Sequence, residues 1–226
     1  MTINRTELDQ LTNIGINFNN PYEIVDLFEK SIAKFYGAKY AVATDCATHA
    51  LELCFRLTNQ PNTKAIVPKH TYMSVPMMLE KINQEWEFAN IAWENYYKIE
   101  PFNIIDASTH WEQDSYQQGT LTCLSFQFKK HLPIGRGGMI LLDNFLLYEK
   151  LKRLAHDGRT RGVIQDDDDV TEIGYHYYMT PEDAARGILL MTDVQDTISR
   201  KWSYKNYKDL TELSVFSRKN NAQESA

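Results

Sequence analysis

The sequence has few of the features that mark secreted, membrane or nucleic-acid-binding proteins. Its 226 residues include only three cysteines, an odd number without the paired spacing of a disulfide framework or a zinc site. The first residues are polar and no apolar run is long enough to span a bilayer, so we expect no membrane partner. The net charge of −6 argues against a nucleic-acid partner, because phosphate binding needs a basic face. These absences predict a cytoplasmic protein with reduced thiols.

Helical and strand-like segments alternate along the chain. Strand-like runs are found at 40–44, 65–67, 87–91, 103–106, 121–126 and 139–142. Helical spacing of apolar residues is found at 21–37, at 47–58 and from 181 to about 213. Two further helices are predicted, one that begins at residue 71 and one that ends at residue 156. Strands that alternate with helices of this length are typical of βαβ units. The predicted fold class is α/β, a three-layer αβα sandwich with a mostly parallel sheet.

One large domain accounts for most of the predicted structure. Residues 1–20 are polar and Asn-rich, and we expect them to form a loose N-terminal arm. Residues 21–216 form the large domain, whose last long helix covers about 181–213, and residues 217–226 form a flexible polar tail. Four consecutive acids at 166–169 are predicted to lie in a solvated loop, because adjacent carboxylates without spaced partners are poor metal ligands.

Polar residues follow three of the predicted strands, at 45–48, at Asp106 and at 125–130. Ligands of parallel sheets bind beyond the carboxyl ends of the strands, so we expect these residues to meet at one edge. A crowded lysine in such a place loses its charge more easily and becomes a nucleophile toward carbonyls. Taken alone, the third segment is more typical of a surface hairpin with two solvated lysines.

Together, these residues match the binding requirements of pyridoxal 5′-phosphate (PLP). Thr48, beside the small Ala47, begins a helix whose free backbone N–H groups favour a phosphate. Tyr72 offers a flat face for the ring, and Asp106 offers a charge-assisted hydrogen bond to a protonated ring nitrogen. Lys130 is the candidate for an imine with the cofactor. Taken one by one, Thr48 is explained equally well as a helix cap, Tyr72 as a core aromatic and Asp106 as a turn former. Their order along the chain is more specific for PLP than any single residue.

The chain resembles the DegT/DnrJ/StrS group of fold-type I aminotransferases, which aminate nucleotide-linked keto sugars. The resemblance extends from about residue 21 to about residue 213. Segment 45–51 (DCATHAL) is similar to the family's phosphate loop, Ser-Gly-Thr-Ala-Ala-Leu. Further similar segments are an opening helix and strand at 28–42, Pro-x-x-Thr-aromatic at 68–72, Asp-Ala at 106–107, Ser-Phe…Lys…Gly-x-Gly-Gly at 125–138, and Gly-Arg and Gly-Tyr-x-Tyr at 158–159 and 174–177.

The resemblance implies a role for individual residues. Lys130, not Lys129, is the implied imine lysine, since it fits by its distance from Ser125 and from Gly135. His176 stands where the family has an Asn that reaches the cofactor phosphate of the neighbouring subunit. The implied catalytic residue is Lys130, and the implied cofactor-binding residues are Ala47, Thr48, Tyr72, Asp106, Thr109, Ser125, Lys130 and His176.

The implied activity is transfer of an amino group from an amino acid, with glutamate expected, to a nucleotide-linked keto sugar in a homodimer with a shared active site. Some positions depart from the family: Arg136 replaces an acid, His176 an Asn and Tyr178 an Arg, and Thr109 stands where Gln or His is usual. Family members continue into a C-terminal small domain, whereas this sequence ends at Ala226. The alternative is a PLP-binding, non-catalytic homologue that serves as a scaffold or as part of a heteromer.

Two other enzyme classes fit the sequence less well. A sugar-nucleotide dehydratase on the same fold usually has His in place of the lysine, so Lys130 argues against it, although His131 is adjacent. A nicotinamide enzyme is disfavoured because the glycines at 135–138 precede a strand and not a helix.

Overall fold

The computed structural model describes residues 5–216. The helices are α1 Thr6–Asn13, α2 Tyr22–Tyr36, α3 Ala47–Thr58, α4 Ser74–Lys81, α5 Phe145–Ala155 and α6 Pro181–Val194. The strands are β1 Tyr40–Thr44, β2 Ala65–Pro68, β3 Trp86–Ala89, β4 Tyr97–Ile99, β5 Ile104–Asp106, β6 Leu121–Ser125 and β7 Gly138–Leu142. Within 5–216, no helix combines the length and the apolar character needed to cross a bilayer.

The strands form a mixed sheet. Five of them pair in the order β1-β7-β6-β5-β4, in which only β5 and β6 run parallel. The parallel pair β2-β3 joins this sheet through the Ile66 N–H, which donates to the Glu100 carbonyl at 2.8 Å. The α/β class is therefore confirmed, whereas the sheet is not mostly parallel. The chain between β3 and β7 contains no helical crossover in the described structure. Loops reverse the direction from β4 to β5 and from β6 to β7, whereas residues 107–120 connect the parallel strands β5 and β6 without a helix.

Helices cover both faces of the sheet, as predicted. Successive residues of β7 point to opposite faces, with Met139 and Leu141 in the core beneath α1, α2 and α6. Ile140 and Leu142 lie in the core beneath α3, α4 and α5. The three-layer αβα arrangement is thereby confirmed, and it leaves the sheet edge beside the start of α3 free for a site.

The ends of the domain differ from the sequence-based expectation. The predicted loose arm contains α1, whose Leu8 and Leu11 are buried against α6, so the expectation of a loose arm is wrong for these residues. The last helix ends at Val194, not near residue 213. Residues 1–4 and the predicted flexible tail at 217–226 lie outside the described residues. The domain boundaries themselves stay a prediction.

The chain after α6 returns across the edge of the sheet as a C-terminal strap, residues 195–213. The Asn95 N–H donates to the Trp202 carbonyl at 2.7 Å, and the Trp202 N–H donates to Asn95 Oδ1 at 3.1 Å. Further along, the Leu210 N–H donates to the Lys69 carbonyl, and the Lys69 ammonium pairs with Asp209 at 2.7 Å. These contacts replace the helical hydrogen bonds that the sequence pattern predicted for this segment.

Candidate cofactor site

A cavity of about 470 Å³ opens at the sheet edge where β5 and β6 end and α3 begins. Seven of the eight predicted cofactor-binding residues line it: Ala47, Thr48, Tyr72, Asp106, Thr109, Ser125 and Lys130. They come from segments far apart in sequence, as expected for residues that follow neighbouring strands. The fold therefore gathers the predicted set at one place, and their individual roles remain predictions.

One end of the cavity suits an anion. Helix α3 begins at Ala47, so its first N–H groups have no acceptor within the helix. The Thr48 hydroxyl lies 2.7 Å from the Ser74 hydroxyl, and both residues line the cavity. A Cβ at Gly138 would lie 2.5 Å from the backbone carbon of Cys46 and 2.6 Å from the nitrogen of Ala47. Only glycine therefore allows β7 to pack this closely behind the helix start.

Charged side chains hold the loop before α3. Asp45 accepts hydrogen bonds from Arg136 Nη2 at 2.8 Å and from His49 Nδ1 at 2.6 Å. The His49 ring stacks on Tyr177 with 3.7 Å between centroids. Burial of His49 opposes its protonation, but hydrogen bonds to Asp45 and Cys46 outweigh burial and raise the pKa of His49 to about 9. A protonated His49 therefore donates to Asp45 at neutral pH and stabilises the loop.

A buried carboxylate forms the floor of the cavity. Asp106 is only 6% exposed, and its Oδ1 accepts the Ser108 N–H at 3.0 Å. The Tyr97 hydroxyl donates to Asp106 Oδ2 at 2.8 Å and lies 2.7 Å from the Thr71 hydroxyl. Burial and the nearby Asp106 charge hold the pKa of Tyr97 well above its usual range, so this tyrosine stays a donor. Asp106 is thus fixed in one orientation.

Lys130 is the half-buried lysine of the hairpin, whereas Lys129 is exposed. Burial lowers the pKa of the Lys130 ammonium, and the Asp106 charge opposes part of that effect. Its ammonium lies 5.6 Å from the centroid of the Trp202 ring. The neutral amine is therefore easier to reach for Lys130 than for a solvated lysine.

Tyr72 differs from the sequence-based expectation in its secondary structure, and His176 lies outside this cavity. Tyr72 precedes α4, which begins at Ser74 and not at Thr71, and the residue is 60% exposed at the cavity mouth. The His176 side chain is 73% exposed and outside the cavity, with Nδ1 2.9 Å from Asp157 Oδ2. A role for His176 in a neighbouring subunit stays a prediction.

Four aromatic residues of the cavity were missed by the sequence reasoning: Trp93, Tyr97, Trp202 and Tyr207. Tyr97 lies on β4, a strand of three residues, and its alternation with Ile99 is too short a signal to identify. Trp202 and Tyr207 lie in the strap, which was predicted to be helical.

The model of the DegT/DnrJ/EryC1/StrS aminotransferase family matches residues 3–111 and 107–220. The chain belongs to the DegT/DnrJ/EryC1/StrS aminotransferase family. The family resemblance inferred from the motifs is therefore confirmed.

A curated relative extends beyond the part that matches this chain. The chain is 25% identical over 183 residues to SpsC, a spore coat polysaccharide biosynthesis protein of Bacillus subtilis (strain 168). The match covers 62% of this chain and 47% of SpsC. The chain thus spans about half the length of this curated relative.

Solved structures show the same fold. AtS13 from Actinomadura melliaura superposes with a TM-score of 0.69 at 20% identity, covering 86% of this chain and 66% of AtS13. NtdA from Bacillus subtilis, solved with bound cofactor PMP, superposes with a TM-score of 0.64 at 19% identity, covering 84% of this chain and 52% of NtdA.

Proposed function

We propose that the chain binds PLP in the 470 Å³ cavity and takes part in amino-group transfer to a sugar. The observation that carries this proposal is the convergence of Lys130, Asp106 and the start of α3 on one cavity. Membership of an aminotransferase family and the PMP bound to NtdA support it. The name of SpsC supports a carbohydrate substrate.

The residues of the cavity fit PLP at each of its functional groups. The start of α3, with the Thr48 and Ser74 hydroxyls, would hold the phosphate. Asp106 would accept a hydrogen bond from the ring nitrogen, and Tyr72 would lie against the ring. Lys130 would supply the amine that bonds to the aldehyde carbon. When bound, PLP supplies an electron-withdrawing ring that stabilises negative charge at the substrate carbon.

The protein residues would then govern proton transfer. With its amine free of the cofactor, Lys130 would act as the general base and acid at the substrate carbon. Its lowered pKa favours the neutral form needed to take that proton. Asp106, oriented by Tyr97, would hold a ring nitrogen of the cofactor protonated through its negative charge. Thr109 and Ser125 line the cavity next to Lys130 and complete its polar wall.

The finer parts of the proposal concern substrate and assembly. We infer glutamate as the amino donor and a nucleotide-linked keto sugar as the acceptor, as the family resemblance implies. The cavity is open, with Tyr72 exposed at its mouth, which suits a bulky acceptor. A homodimer would bring the exposed His176 of one protomer to the cofactor phosphate of its partner.

A direct test follows the first half of the reaction. Protein loaded with PLP is mixed with L-glutamate without any acceptor, and the 2-oxoglutarate formed is measured. Without an acceptor, each site can release at most one equivalent. The proposal predicts one equivalent of 2-oxoglutarate per site in the wild type and none for Lys130→Ala. Release of 2-oxoglutarate by both proteins would contradict the role of Lys130.

The exposed mouth of the cavity favours a second candidate, a PLP-binding chain that acts only as a scaffold or as part of a heteromer. Tyr72 is 60% exposed although it is the ring platform of the proposal, so a further chain has room to complete the site. The half-reaction separates the two candidates. A chain that binds the cofactor but releases 2-oxoglutarate only after a candidate partner chain is added would favour the heteromer.

A further inference from the structure

Two adjacent lysines line the cofactor cavity, and the proposed function assigns the bond to PLP to one of them. Lys129 and Lys130 both belong to the cavity lining. Gln127 holds the backbone of both residues, since the Lys129 N–H donates to its Oε1 at 2.9 Å and the Lys130 N–H donates to its carbonyl at 2.8 Å. The two amines are therefore distinguished by where their side chains lie and not by freedom of the backbone.

Each of the two amines lies near a different aromatic ring. The Lys130 ammonium is 5.6 Å from the ring centroid of Trp202, which lines the cavity. The Lys129 ammonium is 5.5 Å from the ring centroid of Phe128, which is 62% exposed and is not among the residues of 5–216 that line the cavity. Both distances are within the range of a cation–π contact. The two rings therefore draw the amines apart, Lys130 toward the cavity and Lys129 toward solvent.

The contact with Trp202 is the one that can direct the Lys130 side chain. Among residues 5–216, the Lys130 ammonium has no ion-pair or hydrogen-bond partner, and Asp106 acts on it only through its charge. Burial lowers the pKa of this ammonium, which favours the neutral amine that reacts with an aldehyde. Removal of the Trp202 ring would leave that amine without a directing contact in the described chain.

Hydrogen bonds of the strap hold Trp202 beside the cavity. The Asn95 N–H donates to the Trp202 carbonyl at 2.7 Å, and the Trp202 N–H donates back to Asn95 Oδ1 at 3.1 Å. Asn95 has φ +60°, in the left-handed region that asparagine tolerates, and its carbonyl accepts the Thr109 hydroxyl at 2.6 Å. Because Thr109 itself lines the cavity, these bonds connect one wall of the cavity to the ring near Lys130.

We propose that Trp202 is a positioning residue that selects Lys130, and not Lys129, for the bond to the cofactor. The proposal rests on the proposed function, which puts PLP in this cavity. The selected amine attacks the aldehyde carbon, a C=N bond replaces the C=O bond, and the oxygen leaves as water. Trp202 takes no part in this exchange and acts by keeping the Lys130 amine inside the cavity. Without the ring, both lysines compete for the aldehyde.

The test maps where PLP becomes attached to the full chain. Borohydride adds a hydride to the C=N bond and makes the link permanent, and fragment-ion sequencing of the peptide gives the ratio of adduct on Lys130 to adduct on Lys129. Trp202→Ala is expected to lower this ratio about fivefold, the bias that a cation–π contact worth about 1 kcal/mol provides. Trp202→Phe, which keeps an aromatic face, is expected to recover most of the ratio.

Tyr204→Ala is the matched control, because it removes a ring of the same strap that lies beside His70 and does not line the cavity in the described structure. A merely structural loss would lower the total adduct in both alanine variants without changing the ratio. An unchanged ratio in Trp202→Ala, or an equal fall in Tyr204→Ala, would overturn the proposal.

Asn95→Gly tests the same selection without altering a side chain of the cavity lining. Glycine keeps the backbone at φ +60° and removes the Oδ1 acceptor of the Trp202 N–H, so the ratio is expected to fall as the strap loosens. If Trp202→Ala does not fold, an unchanged ratio in folded Asn95→Gly would overturn the proposal. A folded wild type with no adduct on either lysine would refute the proposed function, and this proposal with it.

Discussion

Gly138→Ala is expected to destabilise the protein and to weaken PLP binding together. The added Cβ would lie 2.5 Å from the Cys46 carbonyl carbon and 2.6 Å from the Ala47 nitrogen, distances that real Cβ atoms do not adopt. Both contacts are with backbone, so β7 or the start of α3 must move. Overpacking of this kind costs about 1–3 kcal/mol, and we expect a loss near the upper end, about 3 kcal/mol. Any displacement of α3 also misplaces the N–H groups for the phosphate.

The assay is urea unfolding followed by tryptophan fluorescence, combined with a PLP titration of each folded variant. Gly119→Ala is the control, because a Cβ there meets nothing within 4 Å although φ is +81°. That backbone strain costs about 1 kcal/mol and leaves the site untouched. We expect Gly138→Ala to lose about 2 kcal/mol more than the control and at least tenfold in PLP affinity. Equal stability losses with unchanged PLP affinity in both variants would refute the reasoning.

Two further predictions concern the groups that orient the site. Tyr97→Phe removes the donor to Asp106 Oδ2 and is expected to cost about 1–3 kcal/mol of stability and to lower PLP affinity; unchanged PLP affinity would show that Tyr97 is only structural. His49, with a folded pKa of about 9 against 6.5, contributes stability that is complete below pH 6.5 and lost as pH rises through 9. In His49→Gln, the free energy of unfolding is therefore expected to change less between these pH values than in the wild type, by at most about 3 kcal/mol. An unchanged slope of the free energy of unfolding against pH would contradict the assignment.

Local sequence signals predicted the parts of the site that local physics determines. The start of α3 at Ala47 and the end of α2 at Gly37, which has φ +75°, follow from helix-terminus chemistry. The convergence of Asp106 and Lys130 followed from the rule that ligands gather at strand ends. Parallel β5 and β6 end side by side, which satisfies that rule even though the rest of the sheet is mixed.

Tertiary contacts determined what the sequence pattern missed. The strap has apolar residues at spacings compatible with a helix, yet α6 ends at Val194 and the strap pairs its backbone with Asn95 and Lys69 instead. Tyr97 and Trp202 reach the cavity only through packing against distant segments, and a single sequence contains no signal for such contacts. The expectation of a loose arm failed because Leu8 and Leu11, two apolar residues one turn apart, were outweighed by the polar residues around them.

The central claim is that Lys130 and the cavity around it form a PLP site. The most direct measurement is the visible absorption spectrum of the protein mixed with PLP, before and after borohydride, followed by peptide mass mapping. The account predicts a visible band that borohydride removes, with the reduced adduct on Lys130 and no adduct in Lys130→Ala. A folded protein that gives no band, or an adduct that maps to Lys129 instead, would contradict it.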